Sequence, residues 1–428
     1  MAKLWQTKSV KLHPLVEKYT VGNDYILDAR LLPHDIEASR AHAAALVKAK
    51  ILTNAEFKTL GKWLDEILRL HKQGKFVIEQ SDEDSQTAIE NYLVSKCGDL
   101  GKKIHTCRSR NDQILVATRL YTREKLKEIS AEVIRLEKVF LQIAKKYEFL
   151  PLPGYTHTRR AMPSSVGHWA AAYLEELIDD HMLLETAYKL NNQNPLGAAA
   201  GFGVNVNIDR NYTTKLLKFG RTQINSIYCV NSRGPAESHI LSVLSKIMIT
   251  LGRLAGEMIW FTTPEFSFFN LPVEFTTGSS IMPQKRNPDV FEIMRGNMRV
   301  VMALQTQVRD ISTGLISGYN RDTQLTKEPL MKGLEIVRQS LEVASLVMPQ
   351  IKPNKEVLMK SLVPEFFAVH EANRLVKNGM PFRDAYSYVK EHLSELKVED
   401  PVKAIKEVVS LGGPGNLQLN KYKIDKPL

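Results

Sequence analysis

The segment AESHILSVLSKIMITLGRLAGEMIWFT, residues 236–262, contains the richest apolar stretch of the chain, Ile240 to Phe261. Its apolar side chains recur at steps of three and four and cover nearly every face of a helix: Ile240, Leu241, Val243, Leu244, Ile247, Met248, Leu251 and Leu254. This spacing predicts a helix that Pro235 opens, and a helix that is apolar on all sides needs apolar neighbours all around it. We therefore predict that it lies in the middle of a helical bundle or an oligomer.

Four further segments repeat the helical period over long stretches. One extends for about twenty-five residues from Leu126, and the others span residues 164–190, 290–311 and 329–347. We find no alternation of strands with helices and no tandem repeat. Five long helices joined by short irregular links predict an all-α fold with an elongated central five-helix bundle.

The two ends of the chain differ from this central part. Shorter amphipathic helices are predicted over residues 34–50 and 54–73, and short helices resume after Lys352-Pro353. A Gly-Gly-Pro-Gly turn follows at residues 412–415. We predict three helical domains: residues 1–104, 105–351 and 352–428.

The composition is that of an ordinary globular protein with an excess of basic residues. Of its 428 residues, 43% are hydrophobic and 25% are charged, and the net charge is +11. A nucleic-acid-binding surface is disfavoured, because the basic residues are scattered and mixed with acidic ones. An enzyme with an anionic substrate and a merely solvated basic surface remain equal alternatives.

Cysteine usage and hydropathy indicate a cytoplasmic protein. The three cysteines are odd in number and far apart, which argues against a disulfide framework or a zinc site. The start of the chain lacks the apolar run of a signal peptide. Lys246, Arg253 and Glu257 interrupt the apolar stretch of residues 240–261, so we predict no membrane span.

Polar residues of an unusual kind occupy the link KKIHTCRSRNDQ, residues 102–113. Arg108, Arg110 and Asn111 come just before a predicted helix. Arginine offers a planar fork for carboxylates, asparagine both donates and accepts, and a helix N-terminus favours an anion. The pattern indicates an anion site, and a helix cap with solvated arginines is the alternative.

A second link, LPGYTHTRRAMP at residues 152–163, contains the histidine in the most unusual setting. His157 lies between Thr156 and a pair of arginines. Because imidazole titrates near neutral pH, His157 is our candidate for proton transfer, with His105 second. The alternative is an ordinary loop histidine.

The third link, TTGSSIMPQKRNPD at residues 276–289, is small and polar at one end and basic at the other. Pro283 and Pro288 forbid a continuous helix, and no alternation predicts a strand. We therefore predict a mobile loop that carries hydroxyls and the cations Lys285 and Arg286.

A further polar cluster, SGYNRDTQLTKE, covers residues 317–328. Tyr319, Arg321, Gln324 and Lys327 can all address carboxylates or amides, and the last two are three residues apart, so they can share a helical face. A helix start with a solvated face is the alternative.

These links resemble the motifs of a known family. GSSIMPQKRNPD resembles the fumarase/aspartase superfamily signature GSSxMPxKxNP, and HTCRSRNDQ resembles the H-x-x-R-S-R-N-D-Q motif of the argininosuccinate lyase family. LPGYTHTRRAMP, YNRDTQLTKE and GMPFRDAY are similar to further motifs of that family. The resemblance covers roughly residues 24–386. It implies a homotetramer built on a twenty-helix core, and the reversible β-elimination of argininosuccinate to arginine and fumarate, the last step of arginine biosynthesis.

The resemblance also implies roles for single residues. Ser279 would be the base, Lys285 would stabilise the charge that develops on a carboxylate, and His157, positioned by Glu292, would assist the leaving nitrogen or orient the substrate. The implied substrate-binding residues are Asp28, Gln86, Arg110, Asn111, Thr156, Asn287, Tyr319, Gln324 and Lys327. No metal, cofactor, nucleic acid or membrane is implied, and active sites would be shared between subunits.

The chain departs from the family pattern at two positions that bear on the substrate. Gln86 occupies the place of a common histidine, and Asp24 that of a serine. Three alternatives therefore stand: another fumarate-releasing lyase of the superfamily, a non-enzymatic structural homologue, and a basic nucleic-acid-binding protein.

Overall fold

A computed structural model describes residues 12–397 and 400–428. The chain divides into two compact units, each built from three stretches of sequence. Unit 1 comprises the chain up to Lys127, Leu184–Val243 and Met302–Glu335, and unit 2 comprises Glu128–Leu183, Leu244–Val301 and Ile336–Leu428. The predicted division into three domains along the chain stays a prediction.

The described residues form an all-α fold, as the sequence predicts. Its α-helices, in chain order, are α1 Pro14–Val21, α2 Asp24–Lys48, α3 Asn54–Lys72, α4 Ser85–Cys97, α5 Asp99–Lys102, α6 Arg110–Lys146, α7 Val166–Asn191, α8 Arg210–Leu216, α9 Ser226–Asn231, α10 Pro235–Phe261, α11 Asp289–Ser312, α12 Lys327–Val347, α13 Lys355–Ser361, α14 Ala368–Lys377, α15 Phe382–Glu391 and α16 Pro401–Lys406.

Strands are short and pair only in twos within the described ranges. They are β1 Pro151–Thr156, β2 Arg159–Ser165, β3 Gln193–Asn194, β4 Arg221–Thr222, β5 Phe269–Asn270, β6 Thr277–Gly278, β7 Arg286–Asn287 and β8 Lys352–Pro353. The pairs β1–β2, β5–β8 and β6–β7 are antiparallel, and β3–β4 is parallel. Two of these hairpins, β1–β2 and β6–β7, present the residues of the second and third links.

Helix α10 confirms the apolar pattern that predicts the fold. All eight of the aliphatic and Met side chains that define its period are buried in this single chain, so their burial needs no oligomer. In unit 2 the helix also satisfies polar groups of α7: Trp169 Nε1 and Tyr173 Oη donate to Glu257 at 2.6 and 2.7 Å. Glu257, which interrupts the apolar sequence of α10, can lie in a packed helix because its carboxylate accepts these two hydrogen bonds.

Helix α10 is also the one described helix long and apolar enough to cross a membrane by length and composition. Two thirds of its most apolar window, 67%, is buried inside the structure. The buried core helix of a soluble protein passes the same test, so the finding is weak evidence for a membrane span.

Two helices begin earlier than predicted. Helix α6 starts at Arg110 rather than at Leu126, because Ile114, Leu115 and Leu120 continue its buried apolar face upstream. Helix α2 starts at Asp24 and continues through Pro33, where the buried neighbours Leu31, Leu32 and Ile36 offset the hydrogen bond that proline cannot make. Of the first link, Arg108 lies in the loop before the helix, as predicted, whereas Arg110 and Asn111 are the first residues of the helix itself.

Candidate active site

A cleft of about 250 Å³ in unit 1 brings together four predicted substrate-binding residues. Arg110 and Asn111 come from the first turn of α6. Tyr319 and Gln324 come from the segment that leads into α12, which forms a 3₁₀ helix over Arg321–Thr326. The cleft is also lined by Asp24, Glu83, Asp84, Arg233 and Arg321. The first link, residues 102–113, and the cluster of residues 317–328 thus meet in one cleft although they are far apart in sequence.

The guanidinium of Arg110 is already engaged by acids of the chain. Its Nη1 lies 3.0 Å from Glu83 Oε2 and 2.9 Å from Asp84 Oδ2, and Nη2 donates to Thr87 Oγ1 at 2.5 Å. Burial raises the pKa of Asp84 to about 6, and the charge of Arg110 opposes this rise. A substrate carboxylate at Arg110 would therefore share the guanidinium with two acidic side chains.

Lys327 and Asp28 form a buried ion pair beside the cleft residue Asp24. Lys327 Nζ lies 2.5 Å from Asp28 Oδ1 and 2.9 Å from Asp24 Oδ1, and the side chains of Lys327 and Asp28 are 2% and 0% exposed. Burial lowers the pKa of Lys327, but the charges of Asp28 and Asp24 outweigh it, so the pKa lies above its ordinary value. Direct substrate contacts by Lys327 and Asp28 stay a prediction, since each is already bound by the other.

Gln86 belongs to a buried polar cluster at the start of α4. Ser85 donates its backbone N–H to Asp28 at 3.1 Å and its hydroxyl to Asp35. Gln86 is only 5% exposed and does not line the cleft, so its predicted substrate contact also stays a prediction. Burial, with the nearby charge of Asp28, raises the pKa of Asp35 to about 7.

In unit 2 the predicted base lies on a small hairpin. Thr277 and Gly278 pair with Asn287 and Arg286, so residues 279–285 form the connecting loop. Ser279 Oγ accepts hydrogen bonds from the backbone N–H groups of Ile281 and Met282, at 3.4 and 3.1 Å. Backbone donors at a serine oxygen stabilise negative charge on it. Residues 279–285 form a loop, as predicted. The two-residue strands on either side of this loop were not predicted.

Lys285 and Asn287 lie at the end of the same loop. Lys285 is exposed, and Asn287 donates from Nδ2 to Thr277 Oγ1 at 3.5 Å. The Thr277 hydroxyl in turn donates to Asp289, which opens α11. The base, the cation and the amide of the sequence prediction are thus held on one short hairpin.

His157 occupies the tip of the β1–β2 hairpin, where a link without strands was predicted. Thr156 pairs with Arg159, so His157 and Thr158 alone form the turn, with φ of 52° and 59°. Non-glycine residues in this left-handed region cost about 1–3 kcal/mol each. At Gly154 a Cβ would lie 2.6 Å from the carbonyl oxygen of Met162, so this hairpin needs glycine at that position. Such strain supports a functional role for the tip.

The four predicted catalytic residues are not joined to one another within the described part of this chain. No hydrogen bond or ion pair links Ser279, His157, Lys285 and Glu292, and Thr156, His157, Lys285 and Glu292 are exposed. Glu292 lies in the first turn of α11, and its predicted contact with His157 is not made within one chain. Either substrate or a second subunit would have to bring these groups together.

The sequence analysis missed the residues that surround Arg110. Glu83 and Asp84 were visible as an acidic pair, but 27 residues separate Glu83 from Arg110, and no spacing rule connects them. Arg233, between α9 and α10, was not singled out either. Gly234 and Pro235 mark the position of Arg233 as a loop, whereas the sequence around Glu83 and Asp84 contains no proline or glycine that would do so.

Comparisons with known proteins agree with these motifs. A family model described as a lyase matches residues 7–303. The argininosuccinate lyase of Thermotoga neapolitana is 44% identical over 389 residues, covering 91% of this chain and 98% of that protein. The argininosuccinate lyase of Sorangium cellulosum is 41% identical over 403 residues, 94% of each.

Solved structures share the fold at low identity. EDDS lyase in complex with formate superimposes with a TM-score of 0.80 at 21% identity, covering 96% of this chain and 89% of that one. Class II fumarase from Schistosoma mansoni gives a TM-score of 0.74 at 15% identity, covering 90% and 94%. At this identity the likeness concerns the fold alone.

Proposed function

The chain belongs to the argininosuccinate lyase family, and from this membership we propose that it catalyses the reversible β-elimination of argininosuccinate to arginine and fumarate. This reaction is the last step of arginine biosynthesis. The observation that carries the proposed chemistry is the pair of backbone N–H groups that donate to Ser279 Oγ. These donors stabilise the negative charge that the oxygen of a serine base carries.

The elimination starts by removing a proton from the carbon next to a succinate carboxylate. The electron pair moves onto that carboxylate, which becomes a dianion, and fixed donors near it contribute most to catalysis. Lys285 and Asn287, on the same hairpin as Ser279, are the donors for this charge. A serine hydroxyl is a weak base, so the backbone donors and the ammonium of Lys285 favour its ionised form.

The second half of the reaction breaks the carbon–nitrogen bond. The electrons of the dianion form the double bond of fumarate, and the leaving nitrogen of arginine takes up a proton. His157 is the residue suited to this proton or to orienting the nitrogen, because imidazole exchanges protons near neutral pH. Glu292 would position the imidazole from another subunit, because it does not contact His157 within one chain.

The remaining predicted residues bind the substrate. Arg110, Asn111, Tyr319 and Gln324 line one cleft, and Thr156 stands beside His157. Lys327, Asp28 and Gln86 are buried, and Lys327 bonds both Asp28 and the cleft residue Asp24. Their predicted substrate contacts belong to the proposal. The three-domain division, the cytoplasmic location and the homotetramer with shared active sites belong to the same proposal.

The test compares fumarate release from argininosuccinate, adenylosuccinate and aspartate side by side. The ultraviolet absorbance of fumarate is the readout. Only argininosuccinate should give rapid release, and Ser279→Ala should abolish it. Release from a different compound would favour another lyase of the superfamily, an alternative that the departures Asp24 and Gln86 keep open. No release from any compound would indicate a structural homologue.

A further inference from the structure

Two arginines follow the tip of the β1–β2 hairpin, and the pairing of the strands places them on opposite faces. Thr156 pairs with Arg159, and Tyr155 pairs with Arg160. Directly opposite residues of an antiparallel pair project to the same face, and successive residues of a strand alternate between faces. Arg159 therefore shares a face with Thr156, a predicted substrate-binding residue, whereas Arg160 shares the other face with Tyr155.

The face of Tyr155 and Arg160 is turned towards the body of unit 2. The Tyr155 ring makes edge-to-face contacts with Phe266 and Phe366, at centroid distances of 6.3 and 6.4 Å. Burial raises the pKa of Tyr155, and the nearby charge of Arg160 opposes this rise. The opposite face, which carries Arg159, therefore points away from these aromatic rings.

Arg159 is an exposed cation that this chain leaves without a partner. Within residues 12–397 and 400–428, its guanidinium meets no carboxylate within 4 Å and its side chain makes no hydrogen bond. Other exposed arginines, such as Arg69 and Arg374, are paired with a glutamate of their own helix. The planar fork of a guanidinium matches the two oxygens of a carboxylate. Arg159, beside the hydroxyl of Thr156, is thus suited to a ligand carboxylate.

The turn keeps Arg159 close to His157. Only His157 and Thr158 separate Thr156 from Arg159, and both turn residues have left-handed φ, which is typical of a type I′ turn. The Cα atoms of the pair that flanks such a turn are about 5.5 Å apart. Arg159 and His157 can therefore reach two neighbouring groups of one small ligand.

The succinate portion of argininosuccinate carries two carboxylates with different tasks. One of them becomes the dianion during proton removal, and Lys285 and Asn287 are its proposed donors. The other is attached to the carbon whose bond to nitrogen breaks, so it lies next to the nitrogen at which His157 would act. A residue that binds this second carboxylate should therefore stand beside His157.

We infer that Arg159 binds the second succinate carboxylate and selects substrates in which the leaving nitrogen is attached to a carboxylate-bearing carbon. The inference rests on the proposed function, which supplies the substrate. The second carboxylate keeps its charge throughout the elimination, so Arg159 stabilises the bound substrate and the transition state alike. Loss of Arg159 should therefore raise KM more than it lowers kcat.

The inference is tested by calorimetric titration of fumarate and arginine into the wild-type protein and two variants. Fumarate retains the second carboxylate, and arginine lacks it. A hydrogen bond to a charged group contributes about 10- to 100-fold in affinity, so Arg159→Gln should bind fumarate more weakly by about that factor and arginine as tightly as wild type. Arg160→Gln is the matched control, because it removes the same charge from the opposite face. It should change neither affinity.

Two further measurements separate binding from structure. Arg159→Lys keeps the charge without the planar fork and should retain part of the affinity for fumarate. With argininosuccinate as substrate, Arg159→Gln should raise KM by about 10- to 100-fold and leave kcat within a few-fold. Thermal unfolding and the mass of the assembled protein should be unchanged, because the side chain lies exposed at a hairpin tip.

Unchanged fumarate affinity in Arg159→Gln would overturn the inference, as would an equal loss in Arg160→Gln, an equal loss for arginine, or a wild-type protein that does not bind fumarate. A lower unfolding temperature or a changed mass with unchanged fumarate affinity would instead assign Arg159 to a contact between subunits. Failure of the proposed function looks different. In that case wild type releases no fumarate from argininosuccinate, yet the affinity for fumarate still depends on Arg159.

Discussion

The residues of the unit 1 cleft and those of the two unit 2 hairpins differ in how the chain itself holds them. Arg110, Lys327 and Asp28 are tied to neighbouring side chains by ion pairs of 2.5–3.0 Å. His157 and Lys285 are exposed and meet no acidic partner in the described ranges. The comparison supports the proposal that the cleft is organised before substrate arrives, and that the proposed catalytic groups are brought together on assembly or on substrate binding.

The physical reason lies in what each region has to do. Buried charges need fixed partners, because an unpaired one costs several kcal/mol. A base on a hairpin must instead approach and leave a carbon atom, and an exposed loop permits such movement. The predictions below test this contrast, beginning with the largest expected effect.

Ser279→Ala should reduce turnover by about 10²- to 10⁴-fold or more, because the variant loses the proposed base. The side chain is small and lies on a loop, so folding and assembly should be unchanged. Initial rates of fumarate release and a thermal unfolding curve measure both quantities. Ser280→Ala, on the next residue, is the matched control. Turnover of Ser279→Ala within tenfold of wild type would exclude it as the base.

Mixing two inactive variants should restore activity if the hairpins of one site come from different subunits. His157→Asn and Ser279→Ala are denatured together and refolded as hybrids, whose composition is checked by mass. With random assortment, roughly a quarter of the sites take His157 from a Ser279→Ala chain and Ser279 from a His157→Asn chain, and activity should reach about that fraction of wild type. Hybrids without activity would mean that both hairpins of a site belong to one chain.

Lys327→Met should destabilise the protein by about 3–5 kcal/mol, because it leaves Asp28 and Asp24 charged and unpaired in a buried place. Denaturant unfolding at fixed protein concentration measures the change. Lys360→Met, in an exposed pair with Glu356, serves as control and should have little effect. Equal losses of stability in the two variants would show that the buried pair of Lys327 and Asp28 stabilises the fold no more than an exposed surface pair does.

Asp35→Asn should alter how stability depends on pH. The pKa of Asp35 is raised from 3.8 to about 7, so the folded chain holds this proton more tightly than the unfolded chain. At low pH the Asp35 carboxyl is protonated in both states and does not change the free energy of unfolding. As pH rises from about 4 to about 7, it lowers the free energy of unfolding by an increasing amount. Urea midpoints of Asp35→Asn should exceed those of wild type by a margin that grows over this range. A difference in urea midpoint that does not change with pH would contradict the raised pKa of Asp35.

Gln86→His should have the smallest effect. It places the commoner family residue at a buried position that is a predicted substrate contact, so the Michaelis constant should change while turnover stays within a few-fold. Steady-state kinetics separates the two. Complete loss of activity in a correctly assembled protein would show that the region has been rebuilt around glutamine.

The long helices could be predicted from sequence because their signal is local. The period of α10 locates both of its ends within one residue of the structure, and α7 and α11 are nearly as close. The start of α6 was missed although Ile114, Leu115 and Leu120 continue its apolar face upstream of Leu126. Only its first turn, which contains Arg110 and Asn111, is polar, and there the apolar period gives no signal for the helix.

The pairing within the site could not be predicted, because it joins distant segments. Lys327 and Asp28 are 299 residues apart, and nothing in either neighbourhood indicates the other. The resemblance to a family identified both residues and assigned them to the substrate. Their burial against each other is a property of the packed chain.

The division of the chain into two units has a consequence for how such a protein can evolve. The chain passes between units at residues 127, 183, 243, 301 and 335, and each of these positions lies inside a long helix: α6, α7, α10, α11 or α12. A recombination event at any of them would cut a helix rather than a loop. Neither unit can therefore be exchanged as a separate segment, and the cleft of unit 1 and the hairpins of unit 2 must be inherited together.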